Sequence, residues 1–192
     1  MNQGDLKFLP RGIMTTDVEK KVAAIGDLAR KHYESRSYMC AESVLLALNS
    51  ELGGGLKDIH AVALSAPFSE GMGGSGCTCG ALSGAILAVG LFTGNGEAFR
   101  HRRRSRKFAN QFHEKFTERF GSACCRVLCR KVRHDTKLHF DHCAGLTAET
   151  ACLAARLILE QRPELVAASP TEGVAASRPS IAAIVRRWLP WR

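Results

Sequence analysis

Eight cysteines carry whatever chemistry this sequence can do: Cys40, Cys77, Cys79, Cys124, Cys125, Cys129, Cys143 and Cys152. Their spacing excludes several sites. No Cys-x-x-Cys-His is present, so covalent haem c has no attachment point. No Cys-x-x-Cys occurs at all, which removes the thioredoxin motif and the zinc-ribbon knuckle. The compact ferredoxin run is missing too. What remains is dispersed: one cysteine early in a helix, a Cys-x-Cys at a glycine-rich turn, a Cys-Cys pair, and single cysteines on late helices. A helical bundle can gather such residues at its helix ends.

The glycine stretch holds Gly71, Gly73, Gly74, Gly76 and Gly80. Glycines let backbone approach closely and aim N–H groups at an anionic centre, so Gly74, Gly76 and Gly80 are candidates for a cradling loop. Cys79 falls near the start of a helix and Cys125 in the first turn of another, and helix N-termini favour thiolates. Cys152 lies within an apolar helix and reads as a small buried hydrophobe. His134, His139 and His142 precede Cys143, with His142 the candidate ligand or proton partner.

The elements that must position these residues are helical. Thr16-Asp17-Val18-Glu19 has the capping-box form, and apolar residues at helical spacing predict a helix over about 17–35. Further helices are expected over about 39–51, 57–65, 81–92, 97–119, 123–132 and 139–161. The 81–92 helix is apolar nearly all round and should be central. Phe108, Phe112, Phe116 and Phe120 recur every four residues, an inward aromatic stripe. Gly121 should close that helix and Ser122 cap the next. No segment alternates strongly enough for a strand. The expected fold is an all-α compact bundle of about six helices over residues 16–162, after an N-terminal extension (1–15). A flexible C-terminal tail (163–192) is expected to follow, as a Pro-rich linker with a short amphipathic helix. On that helix Ile181, Ile184, Val185, Trp188 and Leu189 share one face, a candidate docking peptide for a membrane surface, a partner groove or a compartment shell.

The chain has 192 residues and a net charge of +9. Residues 97–137 alone hold thirteen basic and four acidic side chains. The densest run is Arg100, Arg102, Arg103, Arg104, Arg106 and Lys107, a candidate docking face for an acidic redox partner. No recognition motif accompanies it, so nucleic acid is not expected. No apolar run is long enough to span a bilayer, and the first residues lack the apolar core of a secretory signal. A cytoplasmic location is therefore expected, and with it reduced thiols, not a disulfide scaffold. No hydrolytic, phosphate-binding or dinucleotide motif occurs, so any enzymatic activity would be redox chemistry.

Four blocks carry a resemblance. Ala41-Glu42-Ser43-Val44-Leu45 follows Cys40. The glycine loop leads into Cys79-Gly80-Ala81-Leu82-Ser83-Gly84. Gly121-Ser122 precedes Cys125-Arg126-Val127-Leu128, and His142-Cys143 opens the last helix. Over about residues 20–160 the chain resembles a bacterial family of redox-active proteins named for the pattern Cys, Gly-Cys-Ala-x-x-Gly, Cys, Cys. Here Cys79-Gly80-Ala81 stands where the pattern has Gly-Cys-Ala, with Gly76-Cys77 just upstream. That family is similar to the non-haem part of split-Soret cytochromes, which implies an iron–sulfur cluster and a homodimer. By the resemblance the ligands are Cys40, Cys79, Cys125 and Cys143, with Cys77, Cys124 and Cys129 as substitutes. Four thiolates suit a [2Fe-2S] cluster, favoured here, or a [4Fe-4S] cluster. Two other readings stay open: a metal-free thiol–disulfide protein using Cys77/Cys79 or Cys124/Cys125, and a structural four-cysteine zinc site in an interaction module.

Overall fold

The computed structural model describes residues 15–94 and 98–170. The N-terminal extension, the Arg100 side chain and the residues Ile181, Ile184, Val185, Trp188 and Leu189 fall outside the described residues. So does the tail beyond Pro170.

The architecture is all-α. The helices are α1 (Thr15–Glu34), α2 (Cys40–Glu51), α3 (Asp58–Ser65), the single turn α4 (Ser69–Met72), α5 (Gly80–Thr93), α6 (Ala98–Phe120), the single turn α7 (Cys125–Leu128) and α8 (Thr136–Gln161). Among the described residues the extended backbone amounts to one isolated antiparallel bridge, Thr78 with Cys124.

Helices α2 and α5 form the centre: α5 is apolar nearly all round, and the buried Glu42 and Asn49 of α2 are bonded to the backbone of Met39 and Leu56. Every residue from Ala41 to Asn49 is buried, as are Ala81, Leu82, Ala85, Ala88 and Val89. The two helices cross closely at Gly84, where a Cβ would overlap the carbonyl of Ala41. Helices α1 and α8 flank them through Val22, Ile25, Ala29, Ala151, Ala155 and Ile158, all buried. Helix α6 lays its phenylalanine stripe on this core: Phe108, Phe112 and Phe116 are buried, and Phe120 packs on Phe116 with ring centroids 4.7 Å apart. Ion pairs tie the layers at their edges: Arg156 with Glu19, Arg119 with Glu149, and Lys21 with Glu51 at 3.1 Å.

Three sequence expectations need correction. The helix expected over 123–132 shrinks to α7, because the chain around Cys124 pairs with the glycine loop and residues 129–135 run in tight turns. Ser122 caps no helix; its hydroxyl accepts from Cys124 N–H at 3.1 Å within that turn. Helix α8 starts three residues before the expected His139, since the Asp135 carboxylate accepts from the N–H groups of Lys137 and Leu138. Beyond Gln161 the chain also stays on the body. Pro163–Ala167 forms a 3-10 turn whose Leu165 and Val166 pack on the core, and Lys21 Nζ donates to Ala168 O at 2.9 Å.

Candidate metal centre

At one end of the bundle the N-termini of α2, α5 and α7 meet the first turns of α8. Between them lies a cavity of about 380 Å³, lined by Cys40, Cys79, Cys125, Cys129, Cys143 and His139 among others. Each residue owes its place to a helix boundary. Cys40 is the first residue of α2, Cys79 the N-cap of α5, and Cys125 the first residue of α7. Cys129 follows one turn after Cys125, and His139 and Cys143 stand one turn apart on α8.

The glycine loop holds these ends together. Its segment 76–79 runs antiparallel to 123–126: Cys125 N–H donates to Cys77 O at 2.6 Å, Arg126 N–H to Gly76 O at 3.1 Å, and Cys79 N–H to Ala123 O at 2.8 Å. Gly71 has a left-handed φ of 73°, and a Cβ there would lie 2.8 Å from the Cys125 Cβ. Its neighbour Glu70 adopts φ 56° without being glycine, a conformation that costs an L-residue energy. Of the cradle residues read from sequence, Gly74 and Gly76 line the cavity. Gly80 supports it from behind, since a Cβ there would come within 2.5 Å of Cys40 Sγ.

Glu70, Arg126 and Arg133 bring charge to the cavity lining, while four of its thiols, Cys40, Cys79, Cys125 and Cys129, are shifted toward the protonated form. Burial, then the neighbouring Cys40, pushes the Cys79 thiol to about 12, against the pull of the Leu82 and Ala81 N–H groups. Burial raises Cys40 as well, opposed by the backbone N–H groups of Glu70 and Ala41. Cys125 is raised by its hydrogen bond with Cys129 and by burial. At Cys129 the bond from Cys125 pulls down, but the bond with Cys143, burial and nearby thiols outweigh it and set the thiol at about 12. Crowded thiols that repel one another as thiolates are stabilised together by a cation, which takes the place of their protons. The donor set fits that role: soft thiolates, one imidazole and backbone N–H groups suit iron–sulfur clusters or zinc.

All four cysteines of the predicted ligand set line this cavity. Cys77 and Cys124 are not among its lining residues. Cys77 is exposed, and the Cys124 thiol donates to Gly76 O at 3.3 Å. Cys152 packs between α1 and α8, its Sγ 3.5 Å from Val22 O. Two members were underrated in the sequence. Cys129 is buried in the thiol group, and its Sγ lies 3.7 Å from Cys143 Sγ. His139, not the exposed His142, faces the thiols: its ring nitrogen, Cys129 Sγ and Cys143 Sγ all lie within 4.8 Å of one another. The signal was the four-residue step, 125 to 129 and 139 to 143, which puts each pair on one helical face.

The basic segment divides in two. Arg102, Arg103, Arg104, Arg106 and Lys107 are exposed on the N-terminal half of α6. At a rise of about 1.5 Å per residue, Arg104 stands about 25 Å along the helix from its cysteine end. Arg126 and Arg133 line the cavity itself, and Arg126 donates to Ser75 O at 2.8 Å. Among the described residues no helix is long and apolar enough to cross a membrane.

A family model described as "Putative redox-active protein (C_GCAxxG_C_C)" matches residues 38–157. Those bounds enclose Cys40, Cys79, Cys125, Cys129, His139 and Cys143. No curated protein and no solved structure matches the chain.

Proposed function

The chain belongs to this family of redox-active proteins, and on that footing we propose that it is an iron–sulfur redox module. Cys40, Cys79, Cys125 and Cys143 would hold the cluster. One observation carries the reading: four cysteines spread over more than a hundred residues line a single cavity at a convergence of helix N-termini. When bound, an iron–sulfur cluster supplies one-electron exchange. The chain's own residues do the rest. Backbone N–H groups of Ala81 and Leu82 favour the Cys79 thiolate, and those of Ala41 and Glu70 the Cys40 thiolate. Such bonds to cluster ligands raise a reduction potential. Buried walls of α2 and α5 keep water from two of the ligands. Arg126 and Arg133 put positive charge where an acidic electron carrier would approach. A cytoplasmic homodimer belongs to the same proposal, checked by sedimentation of the purified chain.

Anaerobic purification tests it. Visible absorption bands with stoichiometric iron and acid-labile sulfide are expected. A colourless protein loaded with zinc would overturn the reading. Cys79→Ser should abolish loading and Cys152→Ser should leave it intact; a full cluster in both variants would refute the ligand set.

The thiol–disulfide alternative survives in a changed form. Beside Cys77/Cys79 and Cys124/Cys125 stands a further thiol pair inside the cavity, Cys129 with Cys143, their sulfurs 3.7 Å apart. A metal-free protein that loses two titratable thiols on mild oxidation, and keeps them in Cys129→Ser, would favour this second reading.

A further inference from the structure

Cys129, His139 and Cys143 have a geometry of their own. Two thiolates bound at about 2.3 Å to one tetrahedral ion stand about 3.8 Å apart. The Cys129 and Cys143 sulfurs are separated by 3.7 Å. Terminal thiolates on different irons of a cluster stand farther apart, because a metal–metal edge intervenes. The His139 imidazole supplies a third donor within 4.8 Å of both sulfurs. The backbone beneath them is fixed. Asp135 caps the start of α8, and Cys129 N–H donates to Cys125 O at 3.0 Å.

We propose that Cys129, His139 and Cys143 together grip one metal ion, as a tetrahedral position with two thiolates and one imidazole for a soft divalent cation. Cys125, one turn before Cys129, lines the same cavity. The proposal rests on the metal-centre reading in one respect, because Cys143 is common to both. It changes the ligand set from four equivalent cysteines to two groups: Cys40, Cys79 and Cys125 on one side, Cys129, His139 and Cys143 on the other. Binding releases the thiol protons of Cys129 and Cys143 to solvent and leaves the imidazole neutral.

Cobalt(II), a spectroscopic stand-in for soft divalent ions, tests this on the metal-free full chain under anaerobic conditions. The double variant Cys40→Ser/Cys79→Ser is expected to bind one equivalent, with the intense visible bands of tetrahedral cobalt. Cys129→Ser should weaken binding at least tenfold and lower band intensity. His139→Gln should shift the bands and also weaken binding about tenfold, with helical circular dichroism unchanged. Wild-type cobalt binding in both Cys129→Ser and His139→Gln would overturn the proposal. So would complete loss of binding in a folded Cys40→Ser/Cys79→Ser variant. The two readings fail separately. A protein purified without sulfide but with the cobalt position intact sinks the cluster alone. A cluster that loads and absorbs identically in wild type, Cys129→Ser and His139→Gln sinks this position alone.

Discussion

Gly80 has no room for a methyl group. A Cβ there would meet Cys40 Sγ at 2.5 Å, Phe68 O at 3.0 Å and Ser69 Cα at 3.1 Å. The Cys40 thiol occupies part of the space this glycine leaves. Gly80→Ala gains about 1 kcal/mol of helix propensity but pays an overpacking cost of about 1–3 kcal/mol. We expect a small net loss of stability in urea and at least a tenfold drop in metal content. The raised thiols give a second prediction at this scale. Cys79 sits at about 12 in the folded chain, against about 8.5 when unfolded. Between those values the folded state binds more protons, so stability is full below pH 8.5 and is lost as pH rises toward 12. The urea midpoint of the metal-free chain should therefore fall from pH 8 to pH 10.5, and less steeply in Cys79→Ala. Metal affinity should rise over the same range, because binding displaces those protons. The four dispersed cysteines were legible in the sequence because each stands in a block with its own neighbours. Cys129 was read only as a substitute ligand and His139 only as a neighbour of His142, because a four-residue step within a short turn looks the same whether or not a third element completes the site.

The α2–α5 crossing sets the distance between Cys40 and Cys79, and it depends on one residue. At Gly84 an added Cβ would overlap Ala41 O and lie 3.0 Å from both Ala41 C and Cα. These are backbone atoms that cannot swing aside. Gly84→Ala is expected to destabilise by about 3 kcal/mol and to impair metal loading by displacing the start of α2. Gly90, on the same helix, has nothing within 4 Å of an added Cβ, so Gly90→Ala should stabilise by about 0.5–1 kcal/mol. Thermal unfolding of the two variants checks both signs. The long helices were readable from apolar spacing, and their observed ends lie within three residues of expectation. Helix α7 was not readable. Its length is decided by the pairing of 123–126 with the glycine loop, a contact between segments more than forty residues apart, and periodicity carries no trace of such pairing.

At the scale of the whole molecule, the densest charge and the cysteine cavity are separated along one axis. The arginine-rich start of α6 lies at the far end from the cavity, while Arg126, Arg130, Lys131 and Arg133 lie in the α7 region beside it. An acidic carrier docked at the far end would be separated from the thiols by most of the length of α6. Arg130→Glu/Arg133→Glu is expected to slow reduction by a small acidic electron carrier about tenfold at low salt. Arg103→Glu/Arg106→Glu should slow it far less, and the difference should shrink as salt screens the charges. Stopped-flow traces at two ionic strengths would show it. The sequence located the charge excess, but not the division, because the length of α6 separates what the chain writes as one segment.

The turn Pro163–Ala167 adds one consequence. Helix α8 carries Cys143 near its start and Gln161 at its end, about 27 Å away at helical rise. The chain then returns to Lys21 of α1 and to Gly53 beyond the last turn of α2. Helix α1, whose Tyr33 reaches the cavity, begins at that same remote pole. Both ends of the described body thus lie opposite the thiols. Anything that holds the body by this pole would leave the cysteine cavity facing outward.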